Sequence, residues 1–346
     1  MLKYFYPLVR WFLFKMDAEL THDLTLKWLA CIEKSGLSRL IQQPLIEDPV
    51  EIFGIRFPNR VGLAAGLDKN ARCIDALAEL GFGHIEVGTV TPRAQPGNAK
   101  PRLFRLPDAD ALINRFGFNN DGVDKLVENI KSAHFKGVLG VNIGKNFDTS
   151  VENALDDYLI CMRKVYPLAS YITVNISSPN TENLRQLQFG EALDNLLAGI
   201  MSEQKNLADK YHKKVPVLIK IAPDLNDEEI SMLAKSFKKY KVDGVIATNT
   251  TFSRAGVSGL KNAEEQGGLS GAPIFKSSCH VLKKLRGEVG DALPIIGVGG
   301  INSGVKAREK LAAGADLIQV YSGLIFRGPE LVSEIAESLA DFKARK

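Results

Sequence analysis

Pro294–Gly323 reads PIIGVGGINSGVKAREKLAAGADLIQVYSG: a β-branched run, a glycine turn, a helical segment and a second β-branched run. Six runs of the same kind precede it. They are Val61–Gly66 (VGLAAG), His84–Val90 (HIEVGTV), Val138–Gly144 (VLGVNIG), Tyr171–Ser177 (YITVNIS), Val217–Pro223 (VLIKIAP) and Gly244–Thr250 (GVIATNT). With Pro294–Gly300 and Leu317–Gly323 they make eight. All are nearly continuous in apolar residues, the pattern of strands buried on both faces of a parallel sheet. Helical patterns separate them. Val123, Leu126, Val127 and Ile130 fall at i, i+3, i+4 and i+7, with Gly137 expected to stop that helix. Asn226 precedes the acidic first turn Asp227-Glu228-Glu229, which suits a helix dipole. Eight such units predict an α/β chain folded as a (β/α)8 TIM barrel, with its site at the C-terminal ends of the strands. A doubly wound open sheet is the alternative, but it rarely puts polar residues at every strand end.

The 346 residues are 45% hydrophobic and 24% charged, which excludes a disordered chain or a disulfide mini-protein. A net charge of +4 is too small to announce nucleic-acid binding. Cys31, Cys73, Cys161 and Cys279 lie far apart without ligand spacing, so no metal site is expected and a reducing setting is favoured. Cys73 reads as a small buried hydrophobe.

Residues 1–16, MLKYFYPLVRWFLFKM, are the most apolar and aromatic stretch. Lys3, Arg10 and Lys15 interrupt it, and a spanning helix needs roughly 20 apolar residues. No signal-peptide cleavage pattern follows. Leu20, Leu24, Leu26, Trp28, Leu29 and Ile32 then keep helical spacing between Thr21, an expected cap, and Gly36, an expected stop. Residues 1–35 therefore read as two amphipathic helices. Two placements fit: on a membrane interface, or packed against the main domain. Gln42–Pro49 reads as a linker, dividing the chain into a helical segment, 1–42, and a barrel domain, 43–346.

Two excursions, Thr91–Asp121 and Thr251–Gly271, follow the second and sixth strands on the expected site face, where long loops are usually functional. The strand ends supply Lys69, Thr89, Asn142, Asn175, Ser177, Ser178, Asn180, Lys220, Thr248, Asn249, Thr250, Tyr321 and Ser322. Carboxylate pairs and strand-end histidines are missing, which argues against a glycosidase, a metal centre and a Ser-His-Asp triad. Amides and two lysines suit a flat polar heterocycle. Gly297–Ser303 and Tyr321-Ser322-Gly323 match the phosphate site of barrels, against plain tight turns as the other reading. Lys220, inside an apolar strand, needs a partner. Lys69 reads equally as a surface lysine, and Ser178 as a turn residue. Asn114–Asn120 (NRFGFNN) looks like a ligand lid.

The ordered set AAGLDKN, GTVTPRAQPGN, PRLFRL, NRFGFNN, VNIGKN, NISSPNT, KIAPDL, ATNTT, GGLSG, GVGGI and YSG resembles the class 2, quinone-dependent dihydroorotate dehydrogenases over essentially the whole chain. The resemblance implies an FMN enzyme of pyrimidine synthesis that oxidises dihydroorotate to orotate and passes electrons to a membrane quinone, ubiquinone or menaquinone. It implies Ser178 as the base for the C5 proton, with the C6 hydride going to flavin N5. Substrate contacts would come from Lys69, Asn114, Arg115, Phe116, Gly117, Phe118, Asn175, Asn180, Asn249 and Thr250. The flavin would lie against Ala65, Gly66, Leu67, Asp68, Lys69, Thr89, Asn142, Asn175, Lys220 and Thr248. Its phosphate and flank would fall to Gly271, Gly300, Tyr321 and Ser322. His22, Arg102 and Tyr321 would border a quinone tunnel under the N-terminal helices. A peripheral monomer on the cytoplasmic face of a bacterial inner membrane is expected. Three other readings compete: a soluble class 1-like dehydrogenase, which Ser178 and the apolar N-terminus oppose; a non-redox phosphate-binding barrel; and a membrane-bound scaffold.

Overall fold

The computed structural model describes residues 2–181 and 184–344. It opens with α1 (Leu2–Phe14) and α2 (Ala18–Lys34), then the hairpin of β1 (Val50–Ile52) and β2 (Ile55–Phe57). Next come β3 (Val61–Leu63), α3 (Ile74–Ala78), β4 (His84–Val90), β5 (Leu103–Leu106), β6 (Ala111–Asn114) and α4 (Val123–Ser132). The middle holds β7 (Val138–Ile143), α5 (Ala154–Val165), β8 (Tyr171–Asn175), α6 (Gly190–Tyr211), β9 (Val217–Ile221), α7 (Asp227–Tyr240) and β10 (Gly244–Ala247). The chain finishes with β11 (Gly268–Gly271), α8 (Phe275–Val289), β12 (Ile295–Val298), α9 (Gly304–Ala312), β13 (Leu317–Val320), α10 (Ser322–Arg327) and α11 (Glu330–Ala344).

β3, β4, β7, β8, β9, β10, β12 and β13 pair in parallel and close into the expected barrel. The capping box at the start of α7 is complete, with Asn226 accepting from the Glu229 N–H and Glu229 from the Asn226 N–H. Two local expectations fail. α2 is capped by Asp17, whose carboxylate accepts the Leu20 N–H, while Thr21 lies one turn inside and donates its hydroxyl to the carbonyls of Leu13 and Asp17. α4 ends at Ser132, not at Gly137, because the Asp75 carboxylate takes the N–H groups of His134 and Phe135 and pulls the chain away.

The β1–β2 hairpin had no counterpart in the sequence reading. Phe53 and Gly54 both have positive φ (58° and 72°), as a two-residue hairpin turn with strand-matching twist requires. Its apolar side chains, led by fully buried Phe57, pack on Val138, Tyr171, Leu218, Ile246, Ile296 and Leu317 from six barrel strands. The hairpin thereby plugs the end opposite the site. At the site end the two excursions meet: β6 pairs antiparallel with both β5 and β11. Gly271 permits this contact, since a Cβ there would stand 2.2 Å from the Asp110 carbonyl oxygen.

The N-terminal helices use one face for the barrel. The Tyr6 hydroxyl donates to the Ile325 carbonyl (2.6 Å), Arg105 to the Met16 carbonyl (2.8 Å), and Glu33 accepts the Ala76 N–H (2.9 Å). The other face leaves Leu8, Trp11, Phe12 and Trp28 more than half exposed. Both placements raised by the sequence therefore draw on real faces. No helix among the described residues is long and apolar enough to cross a membrane. Replacing Phe57 with alanine is expected to cost about 3–5 kcal/mol, read from chemical denaturation, because the plug loses an aromatic side chain that six strands enclose.

Candidate active site

A cleft enclosing about 990 Å³, its open mouth included, occupies the C-terminal end of the barrel. Of the expected residues, Ala65, Gly66, Lys69, Thr89, Asn114, Phe116, Gly117, Phe118, Asn175, Ser178, Asn180, Lys220, Thr248, Asn249, Thr250, Gly271, Gly300, Tyr321 and Ser322 line it. Leu67, Asp68, Arg115 and Asn142 do not. Asp68 is buried and spends its carboxylate on the N–H groups of Arg72 and Cys73 at the start of α3. Arg115 turns to the second excursion, pairing with Glu265 (2.8 Å) and covering the Phe104 ring.

Asn142 belongs to a network beneath the cleft. It accepts from Thr89 (2.6 Å) and Asn175 (3.3 Å) and donates to Glu86 (2.8 Å). Glu86, which is buried, also accepts from the Tyr171 hydroxyl (3.1 Å) and the Gln319 amide (2.8 Å). Lys220 projects into the same interior from β9. It is buried and donates no hydrogen bond within the described residues. Burial lowers its pKa below the ordinary lysine value, and the Glu86 charge offsets only part of that.

Ser178 lies just beyond β8, buried, and its Oγ accepts the Asn180 N–H (3.2 Å). Amides gather around it. Asn180 donates to Asn114 Oδ1 (3.2 Å), Asn249 donates to Ser177 Oγ (3.0 Å), and Asn249 Oδ1 accepts the Thr250 N–H (2.8 Å). The hydroxyl oxygens of Thr250 and Thr181 are buried without a partner among the described residues. The expected lid is held over the cleft by left-handed backbone at Gly117 and Phe118. Lys69 donates to Asn119 (2.6 Å) with its ammonium 3.6 Å from the centre of the Phe116 ring. Burial, with the Arg102 charge nearby, pushes Lys69 down to about 7. At the opposite wall Gly299 and Gly300 have φ of 110° and 74°. The N–H groups of Gly299, Gly300 and Ile301 find no acceptor among the described residues. Ser322 meets Ser270 at 2.8 Å beside them.

Of the three expected tunnel residues, Arg102 and His22 sit at the junction with α2 and Tyr321 does not. Arg102 is buried and clasps Glu19 of α2 through both Nε and Nη2, while Nη1 donates to the carbonyls of Pro96 and Asn98. The His22 ring stands 6.3 Å from Phe116, and burial pushes it down to about 3. Tyr321 closes the far side of the cleft, its phenol raised by burial to about 12.

The family model for dihydroorotate dehydrogenase matches residues 49–342. The chain belongs to the dihydroorotate dehydrogenase family. It is 58% identical over 340 residues to the dihydroorotate dehydrogenase (quinone) of Burkholderia mallei, covering 98% of this chain and 99% of that one. The Burkholderia pseudomallei protein of the same name is also 58% identical, over 335 residues, with 97% and 98% covered. The solved structure of the Eimeria tenella enzyme in complex with ferulenol superposes with a TM-score of 0.88 at 35% identity, covering 95% of this chain and 92% of that one. Its ligand-free form gives 0.86 at 36% identity, with 95% and 96% covered.

Sequence reasoning about this dehydrogenase barrel missed Glu86, Gln319 and Glu19. Glu86 carried a signal, being a carboxylate inside an apolar strand like Lys220. Glu19 carried none, since its partner is 83 residues away. Burial raises the Glu19 pKa, but hydrogen bonds and charge from Arg102 and Lys100 outweigh it and leave the carboxyl below its ordinary value. The docking energy of α2 is thus complete above the ordinary glutamate range and is lost as pH falls through the lowered value. Glu19→Gln should weaken docking by about 3 kcal/mol. Amide exchange in α2 should quicken accordingly and lose the acid dependence expected of the parent protein.

Proposed function

We propose that this chain oxidises dihydroorotate to orotate through bound FMN, with a membrane quinone, ubiquinone or menaquinone, as electron acceptor. Its place is pyrimidine biosynthesis, and the observation that carries the reading is the meeting of Ser178, the asparagine amides and buried, unpartnered Lys220 in one cleft. The donor set fits FMN. Free N–H groups on Gly299, Gly300 and Ile301 suit its phosphate, as backbone donors suit anions generally. Lys220, Thr89 and Thr248 offer polar atoms along the length of a ring. When bound, FMN supplies the hydride acceptor and the route for two electrons to the quinone.

Ser178 takes the C5 proton of dihydroorotate as the C6 hydride departs, and the C5–C6 double bond of orotate forms. Serine is a weak base unassisted. The Asn180 N–H on Oγ favours the oxygen after it gives up its own proton, and buried Thr181, three residues on, offers a hydroxyl for relaying it. Asn114, Asn175, Asn180, Asn249 and Thr250 hold the ring amides, with Lys69 at the carboxylate. Phe116, Gly117 and Phe118 cover the substrate and exclude water. Residues 1–42 lie against the membrane through the apolar faces of α1 and α2, on the cytoplasmic side of a bacterial inner membrane. His22, Arg102 and Tyr321 border the quinone's path to the barrel domain, 43–346.

Ser178→Ala should slow flavin reduction by dihydroorotate by about 10²–10⁴-fold in anaerobic stopped flow while the protein stays yellow. Fast bleaching of this variant would remove Ser178 as base, and a colourless parent protein would remove FMN. Deleting residues 1–40 should spare that bleaching but slow reoxidation by long-chain quinone and abolish binding to lipid vesicles. Unchanged kinetics with the quinone would defeat the tunnel.

A further inference from the structure

The barrel interior holds a charge that the reaction scheme leaves unused. The titratable side chains of the interior and mouth are His84 and Glu86 from β4, Tyr171 from β8, Lys220 from β9, Lys69 after β3 and Tyr321 after β13. His84 is buried with no partner on either ring nitrogen among the described residues, packed edge-on to Phe57 and near Tyr171, and burial drives it to about 3. Burial raises both tyrosines. Lys69 sits apart, held by Asn119 and Phe116. In the interior this leaves one carboxylate and one ammonium.

The two are not spent on each other. The partners of Glu86 among the described residues are three neutral donors: the amides of Asn142 and Gln319 and the hydroxyl of Tyr171. Lys220 lines the cleft and donates no hydrogen bond among the described residues. A buried ammonium without a counter-charge would shed its proton, and a direct salt bridge would tie up the donors. Holding the carboxylate beneath by neutral hydrogen bonds avoids both outcomes. We propose that Glu86 is a positioning residue that keeps Lys220 charged against the bound flavin, while its hydrogen bonds orient Asn142 and Gln319. The inference rests on the FMN reading above: a parent protein without flavin ends that reading before this one is tested.

The test is the midpoint potential of bound FMN in the full-length holoenzyme, measured by dye equilibration for Glu86→Gln, Lys220→Met and the double variant. Each change should remove the same positive charge from the flavin edge and disfavour two-electron reduction about tenfold, a fall of about 30 mV. The double variant should fall no further, because the two residues act as a unit. An unchanged or raised potential in Glu86→Gln, or falls that add in the double variant, would overturn the proposal. Should Glu86→Gln fail to hold flavin, Glu86→Asp decides. It keeps the charge and disturbs the hydrogen bonds, so its potential should stay at the parent value; a fall matching Lys220→Met would overturn the assignment.

Discussion

Closing eight parallel strands into a ring leaves each inward side chain two choices: a partner inside the barrel, or one bound in its mouth. The lower layers take the first choice with apolar groups, where Phe57 meets Val138, Leu218, Ile246, Ile296 and Leu317. Above them the interior turns polar, and Glu86 gathers three donors. The top layer is left incomplete. Lys220, Thr250 and the glycine N–H groups near residue 300 have no acceptor or donor within the described residues. A buried polar group without a partner costs roughly 1–3 kcal/mol, so a polar ligand that met these groups would gain by completing the layer. The gradient from dry plug to unsatisfied mouth is what makes one end of the barrel a binding site.

That site is roofed from two distant parts of the chain. The excursions after β4 and β10 are stitched into one antiparallel sheet by β6, and Arg115 ties them again through Glu265. The lid therefore stands on a sheet and not on a free loop, which suits a reaction that needs water kept from a proton transfer. The same excursion carries Arg102, whose clasp on Glu19 fixes α2 beside Phe116 and Lys69.

The eight strand–helix units were legible because strands buried on both faces write continuous apolar runs, and these runs carry their polar residues at one end. Most of the cleft was legible for the same reason, since Ser178, Asn249 and Thr250 directly follow strands. The β1–β2 hairpin was not, because three-residue strands are too short to show a period. Thr21 and Gly137 misled because Asp17 and Asp75 offered stronger partners for the same backbone groups. Asp68 and Arg115 sit within the family's motifs yet face away from the cleft, so motif membership located the loop but not the direction of each side chain.

The junction between α2 and the lid links the two halves of the proposed reaction. Phe116 lines the cleft, and its ring is approached by Lys69 and Arg102 as well as by His22 from the N-terminal pair. Arg102 has four of its five N–H donors engaged, by Glu19 and the carbonyls of Pro96 and Asn98. The clasp holds α2 and the lid in one arrangement, and beside it His22 is an imidazole that burial keeps neutral. If the proposed quinone path runs past His22, a neutral imidazole suits an apolar acceptor better than a charged one would, because it needs no counter-charge when water is displaced.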